Sequence, residues 1–146
     1  RQLAGARVGF AISQEKNIRD LKKIKYSFNP YNVNRLSAAM AKGAMEDTAY
    51  FNETIRKTVD TRESFTEFLR DNDFFVPESS TNFVFAKHAK IQGKALYTLL
   101  KERGFLVRHF DTELLTDFVR ISIGNREDMK RLADEIENIV KEADET

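Results

Sequence analysis

Six residues decide the fold of the C-terminal half of the chain: Phe118-Val119-Arg120-Ile121-Ser122-Ile123. An apolar run of this length and composition is typical of a buried strand. One arginine interrupts the run, and a charge in such a strand is costly unless it is paired. Arg120 is therefore a candidate for binding an anionic ligand. The alternative is a buried salt bridge to one of three nearby acids, Asp111, Glu113 or Asp117.

The sequence on either side of this strand predicts a βαββα unit. A first strand covers residues 82–86, and an amphipathic helix then runs to a stop at Gly104. A short strand at residues 105–107 precedes the strand at 118–123. The final helix carries apolar side chains on one face: Met129, Leu132, Ile136, Ile139 and Val140. This pattern indicates a small α+β domain.

The N-terminal region contains a second apolar run at residues 8–12, which predicts a buried strand. Its core partners are not obvious within this chain, so we expect it to be poorly paired in isolation. A helix follows, with Ser13 as its N-cap and its end before Tyr26. Two consecutive helices come after a loop around Pro30, and the second is a long amphipathic helix at residues 51–69. This helix argues against a flexible linker between the two regions.

Composition excludes several classes of function. The 24 basic and 23 acidic side chains of the 146 residues nearly cancel, so bulk charge does not favour nucleic-acid binding. No apolar run approaches the roughly 18 residues that a membrane span needs. The chain has no cysteine, which excludes disulfides and thiolate metal sites and suits a cytoplasmic protein. His88 and His109 lie far apart in sequence, so we predict no metal site.

A motif near the beginning points to a cofactor. Leu3-Ala4-Gly5-Ala6-Arg7-Val8-Gly9 resembles the segment that follows the Schiff-base lysine in fold-type I enzymes dependent on pyridoxal 5'-phosphate. The resemblance implies that Arg7 binds the cofactor phosphate, for which a planar guanidinium fork is well suited. The lysine itself is expected to lie before Arg1, so no catalytic residue is assigned within this chain.

Motifs spread over the rest of the chain resemble the histidinol-phosphate aminotransferase family. They are Tyr31-Asn32-Val33-Asn34, Thr81-Asn82-Phe83-Val84-Phe85, Gly104-Phe105-Leu106-Val107-Arg108-His109-Phe110 and Phe118-Val119-Arg120-Ile121-Ser122-Ile123-Gly124. The resemblance implies that Arg120 binds the substrate α-carboxylate and that Arg108 lies near the phosphate end of the substrate. It also implies that Tyr31 reaches a cofactor or substrate phosphate across a dimer interface, although Tyr31 could equally be a loop aromatic. Asn32 and Asn34 are expected to cap the following helix.

The resemblance implies an α/β fold, namely the C-terminal part of the fold-type I transferase fold with a small α+β domain. Residues 1–46 would end the large cofactor-binding domain, residues 47–76 would form a connecting helix region, and residues 77–146 the small domain. The implied reaction moves an amino group between histidinol phosphate and 2-oxoglutarate or glutamate, with pyridoxal 5'-phosphate as cofactor. We expect the whole protein to be a cytoplasmic homodimer without nucleic-acid or membrane partners. We expect this portion of it to be inactive by itself.

Two alternatives stay open at this point. A related aminotransferase acting on another amino acid, such as an aromatic or phosphothreonine-type substrate, would share Arg7 and Arg120. A noncatalytic interaction or regulatory module would instead use the apolar face of residues 51–69 to bind a partner. By its helical spacing, that same face is expected to be core or a subunit interface.

Overall fold

The computed structural model describes residues 3–145. After a short 3-10 turn at Ala4–Ala6, this part of the chain contains five α-helices and four short strands. In chain order they are α1 (Glu15–Phe28), α2 (Arg35–Glu46), α3 (Thr48–Asp71), β1 (Phe74–Phe75), β2 (Phe83–His88), α4 (Gly93–Glu102), β3 (Arg108–His109), β4 (Val119–Ser122) and α5 (Arg126–Asp144). The chain divides into two compact units at residues 53/54, inside α3. The three-part domain assignment stays a prediction.

The predicted strand at residues 8–12 is wrong for this chain. The segment forms neither helix nor strand, and Phe10 and Ile12 are 76% and 88% exposed. A strand needs a neighbouring backbone to satisfy its N–H and C=O groups, and the strands in residues 3–145 all lie in the C-terminal unit. The segment is therefore poorly paired, as expected.

Helix α1 differs from its prediction at both ends. Gln14 rather than Ser13 occupies the N-cap, and the Ser13 Oγ instead accepts a hydrogen bond from Asn17 Nδ2 at 2.9 Å. The helix continues past Tyr26 because nothing in that turn breaks it. It ends before Asn29, since the following Pro30 pushes Asn29 out of the helical region, to φ −153° and ψ 85°.

Helices α2 and α3 begin at side-chain caps. Asn34 Oδ1 accepts from the Ser37 backbone N–H at 2.8 Å, so the predicted cap at Asn34 is confirmed. Asp47 separates the two helices, and its Oδ1 accepts from the Tyr50 backbone N–H at 3.0 Å. In α3, Phe65 and Leu69 are buried in the core of the C-terminal unit. The C-terminal part of this helix face is therefore not available to a partner, which weakens the alternative of a partner-binding module.

The C-terminal unit is built on an antiparallel sheet of order β1-β2-β4-β3. Side chains alternate along β2 and β4, so that Val84, Ala86, Val119 and Ile121 face the core. Helices α3, α4 and α5 supply the rest of this core, mainly from Leu69, Leu96, Leu100, Ile136 and Ile139. The βαββα prediction is confirmed as an arrangement of elements, and β1 is an additional edge strand.

The predicted strand at residues 105–107 is wrong because the end of α4 uses this backbone. Gly104 adopts φ +88°, and its N–H donates to the Lys101 carbonyl at 3.1 Å. The Phe105 N–H donates to the Leu100 carbonyl at 2.8 Å, which completes a Schellman cap. Sheet pairing consequently starts at Arg108.

Gly93, the first residue of α4, packs directly against the loop that leads into β4. A Cβ placed on Gly93 would lie 2.6 Å from the Asp117 carbonyl carbon and 2.7 Å from the Thr116 oxygen. Because both atoms belong to the backbone, they cannot move aside cheaply. The helix N-terminus and the loop before Phe118 can approach this closely only when residue 93 has no side chain.

Gly93→Ala should therefore destabilise the C-terminal unit by about 1–3 kcal/mol, the usual effect of overpacking. Urea unfolding followed by circular dichroism measures the change. Gly124→Ala is the matched control, since a Cβ there would meet its nearest atoms at 3.8 and 3.9 Å. Equal unfolding midpoints for the two variants would contradict the packing argument.

His88 ends β2 and is a packing residue. The side chain is 5% exposed, and its ring meets Phe74 edge-on at 4.7 Å. Nδ1 accepts hydrogen bonds from the backbone N–H groups of Lys90 at 3.1 Å and Ile91 at 3.0 Å. Burial lowers the pKa of His88 below 6.5, against the opposing effect of Asp73 and Asp144. The neutral ring is the form that can hold this turn.

We expect His88 to make the fold sensitive to mild acid. Because its pKa is lower in the folded state, the neutral ring stabilises the fold fully above pH 6.5, and this contribution is lost as the pH falls through the folded pKa. Urea unfolding between pH 7.5 and pH 5 should show the decline. His88→Leu should be less stable at every pH but show a shallower decline than the wild type. A wild-type slope in His88→Leu would refute the assignment.

Candidate anion-binding site

The sheet has an open face opposite its core, and this face brings two predicted site residues together. Arg120 pairs with Phe85 of β2 on one side and with Arg108 of β3 on the other. Directly paired residues of antiparallel strands point to the same side of the sheet. Arg108 and Arg120 therefore stand next to each other on the face that α3, α4 and α5 do not cover.

Aromatic rings surround the two guanidinium groups. The Arg120 Cζ lies 5.0 Å from the centroid of the Phe83 ring and 5.8 Å from that of Phe110. The Arg108 Cζ lies 5.3 Å from the Phe110 centroid. These distances are those of cation–π contacts, in which the electron-rich face of a ring attracts a cation.

No acid neutralises this pair within the described part of the chain. Arg108 and Arg120 form no ion pair with any residue in the range 3–145, and Arg120 Nε is buried without a hydrogen-bond partner. The alternative salt bridge to Asp111, Glu113 or Asp117 is therefore absent. Asp117 pairs instead with Lys87, at 3.4 Å. Apart from the buried Arg120 Nε, the donors of both guanidinium groups are available to a ligand.

Phenylalanines extend the open face towards its other edge. Phe85 and Phe118 stack with centroids 4.9 Å apart and planes inclined by 15°. Phe75 meets Phe118 edge-on at 6.3 Å, and the Phe85 centroid is 5.9 Å from that of Phe110. The face is thus an apolar surface of phenylalanine rings with cations at its margin. An anion bound at the arginines, next to Phe83 and Phe110, would be partly shielded from water, which strengthens its attraction to the arginines.

This geometry suits a carboxylate or a phosphate. Each guanidinium offers a rigid fork of N–H donors that matches two oxygens of either anion. Like charges placed opposite each other in an antiparallel pair repel. A bound anion relieves that repulsion, and a doubly charged phosphate relieves it more than a carboxylate does.

The other two predicted site residues, Arg7 and Tyr31, lie in the N-terminal unit. Arg7 follows the 3-10 turn in the left-handed conformation, at φ +56°, and its side chain is exposed. Tyr31 lies in the turn after Pro30 and is 92% exposed. Both side chains are accessible to a ligand. Their roles stay a prediction, as do those of Arg108 and Arg120.

Sequence reasoning assigned no role to the phenylalanines of the open face. Phe83, Phe85 and Phe110 all lie in the motifs that carried the family resemblance. The available signal was the spacing: Phe83 and Phe85 alternate along one strand, and Phe110 follows Arg108 by two positions, so each pair shares a side of its strand.

Two other kinds of site are not found within residues 3–145. This range holds no group of three or more histidine, aspartate or glutamate side chains placed to bind a metal ion. The same range contains no helix that is both long and apolar enough to cross a membrane.

Comparison with known proteins identifies the family. The model of the aminotransferase class I and II family matches residues 1–136. The chain belongs to this family.

Individual relatives agree with this family assignment. Histidinol-phosphate aminotransferases from Brachyspira hyodysenteriae and Clostridium beijerinckii are 43% and 44% identical to it, over 97% and 96% of its length. The solved histidinol-phosphate aminotransferase of Sinorhizobium meliloti, in complex with pyridoxal-5'-phosphate, superimposes on 97% of the chain with a TM-score of 0.85 and 26% identity. The chain spans 40%, 39% and 38% of the length of these three proteins. The predicted fold class, a portion of the fold-type I transferase fold, is confirmed.

Proposed function

We propose that the chain is the C-terminal portion of a histidinol-phosphate aminotransferase, which moves an amino group between histidinol phosphate and 2-oxoglutarate or glutamate. The observation that carries the proposal is the pair of arginines, Arg108 and Arg120, held side by side on an aromatic face without an acidic partner in residues 3–145. The names of the relatives at 43% and 44% identity support the same substrate.

The residues present fit pyridoxal 5'-phosphate as cofactor. Arg7 presents its guanidinium to solvent after a turn of small residues, and it forms no ion pair within the described chain. Arg7 would hold the cofactor phosphate. Tyr31 would be a second residue in contact with that phosphate, reaching it across a homodimer interface. The bound cofactor would supply an electron sink for negative charge at the substrate carbon. We also propose that the whole protein is located in the cytoplasm.

Arg120 would bind the α-carboxylate of glutamate. Its guanidinium rests on Phe83 and Phe110, which fix the plane of the fork before substrate arrives. Nε is buried, so the two Nη groups, which have no protein partner in the described chain, would be the donors to the carboxylate. Preorganisation of this kind lowers the entropy lost when substrate binds.

Histidinol phosphate has a phosphate and no carboxylate, so one site must accept two anions of different shape. Arg108 is exposed beside Arg120 and would supply the additional donors that a phosphate needs. The paired arginines thereby explain how one site could serve both half-reactions. Phenylalanines around the site would exclude water from these contacts.

The experiment that tests this division of roles uses the full-length protein with saturating cofactor. Arg120→Lys keeps the charge but loses the two-pronged fork, so glutamate half-reaction efficiency should fall on the order of tenfold to a hundredfold, or about 1.5–3 kcal/mol. Arg108→Ala should impair the histidinol phosphate half-reaction more than the glutamate one. Single-turnover kinetics with each substrate separates these effects.

Arg7→Ala is the contrasting variant in the same experiment. It should weaken cofactor binding and depress both half-reactions together, because the cofactor is common to both. Equal impairment of the two substrates by Arg108→Ala, with cofactor affinity unchanged, would show that Arg108 does not contact the substrate phosphate.

The 146-residue chain alone should have no aminotransferase activity. Arg1 and Gln2 are the residues before its cofactor motif, so this sequence holds no counterpart of the expected lysine. Without that amine the chain has no group to move a proton at the substrate carbon. Borohydride reduction with pyridoxal phosphate followed by mass spectrometry tests this. Turnover together with one stoichiometrically labelled lysine would overturn it.

A further inference from the structure

Phe110 lies where the two arginines of the open face meet. Its ring centroid is 5.3 Å from the Arg108 Cζ and 5.8 Å from the Arg120 Cζ. It is the first residue after β3, two positions beyond Arg108, so it shares that arginine's side of the strand. One aromatic ring therefore contacts both cations of the proposed anion site.

The Phe110 ring is itself supported by a ring from β2, which lies on the other side of β4. Phe85 contacts it at a centroid distance of 5.9 Å and stacks in turn on Phe118 at 4.9 Å. Phe110 is half-buried, unlike the exposed Arg108 beside it. A ring held in this way can fix the position of a long, flexible side chain that has no other anchor.

The two arginines differ in how much they depend on this ring. Arg120 also rests on Phe83, at 5.0 Å, and is itself half-buried. Arg108 is exposed, has no ion pair in residues 3–145, and contacts Phe110 as its aromatic neighbour. Because the paired cations repel each other, an unsupported Arg108 would turn away into solvent. The attraction of the ring for both cations opposes that movement.

We propose that Phe110 is a positioning residue that holds Arg108 beside Arg120, so that both bind one doubly charged phosphate group. The inference rests on the proposed function, and it adds a residue that selects the phosphate-bearing substrate. A carboxylate needs one guanidinium fork, which Arg120 provides with its own support from Phe83. A phosphate dianion needs both forks at once and therefore depends on the ring.

The test is a phosphate titration of the 15N-labelled 146-residue chain, followed through the Nε–H resonances of Arg108 and Arg120. Inorganic phosphate is the probe, acetate is the carboxylate comparison, and sodium chloride keeps the ionic strength constant. In the wild type both resonances should shift with one shared dissociation constant for phosphate. Phe110→Leu should weaken phosphate binding by about fivefold, with acetate binding changed by less than about twofold.

Two variants serve as controls. Phe110→Tyr keeps the ring and should restore phosphate affinity to within about twofold of the wild type. Phe75→Leu removes a phenylalanine of the same sheet face that contacts Phe118 instead of an arginine, and it should leave both anions unaffected. If Phe110→Leu fails to fold, pentafluorophenylalanine at position 110 replaces it, because fluorination reverses the charge distribution of the ring while keeping its shape. That substitution should also weaken phosphate more than acetate.

The outcomes separate the two proposals. If wild-type Arg108 and Arg120 do not respond to phosphate, the anion site of the proposed function is wrong, and the role of Phe110 falls with it. If they respond and Phe110→Leu or the fluorinated ring binds phosphate as the wild type does, only the positioning role is overturned. An equal loss of phosphate and acetate binding would also overturn it, since it would indicate a structural role without selectivity.

Discussion

The pairing of β2 with β4 is the constraint on which the rest of the C-terminal unit depends. It joins Phe83–Ala86 to Ser122–Val119 in register, and a shift of one residue would exchange the two faces of the sheet. In the observed register Val84 and Ile121 enter the core, and Phe85 and Arg120 face outwards. The burial of the apolar side chains thus determines the direction of Arg120, and the core and the anion site are two consequences of one alignment.

Local signals made much of this fold predictable. The helix start at Asn34 and the stop at Gly104 depend on hydrogen bonds within a few residues, and both were predicted from the sequence. Sheet pairing depends on distant partners, and here prediction failed. Residues 8–12 are as apolar as a buried strand but have no partner strand among the described residues 3–53 of their unit. Residues 105–107 follow directly on the Schellman cap that ends α4. Composition alone could reveal neither the missing partner strand nor the helix cap.

The candidate site was also predictable only in its local features and not in its long-range contacts. Arg120 was recognisable because a charge in an apolar strand needs compensation, and an acid was the obvious compensating partner. The structure instead surrounds it with Phe83 and Phe110, whose nearness follows from the register of two strands and the path of the chain after β3. Those are long-range relations, so the sequence could indicate that Arg120 was special but not which groups support it.

Lys87 shows why compensation by rings matters for binding. It lies on the same open face and its Nζ is 6.0 Å from the Phe118 ring, yet it is paired with Asp117 at 3.4 Å. An incoming anion would have to displace that carboxylate before it could use the lysine. Arg108 and Arg120 require no such displacement, because an aromatic face attracts a cation without occupying its N–H donors. Support by phenylalanine therefore keeps two cations together while their hydrogen-bonding groups stay available, which support by aspartate or glutamate would not achieve.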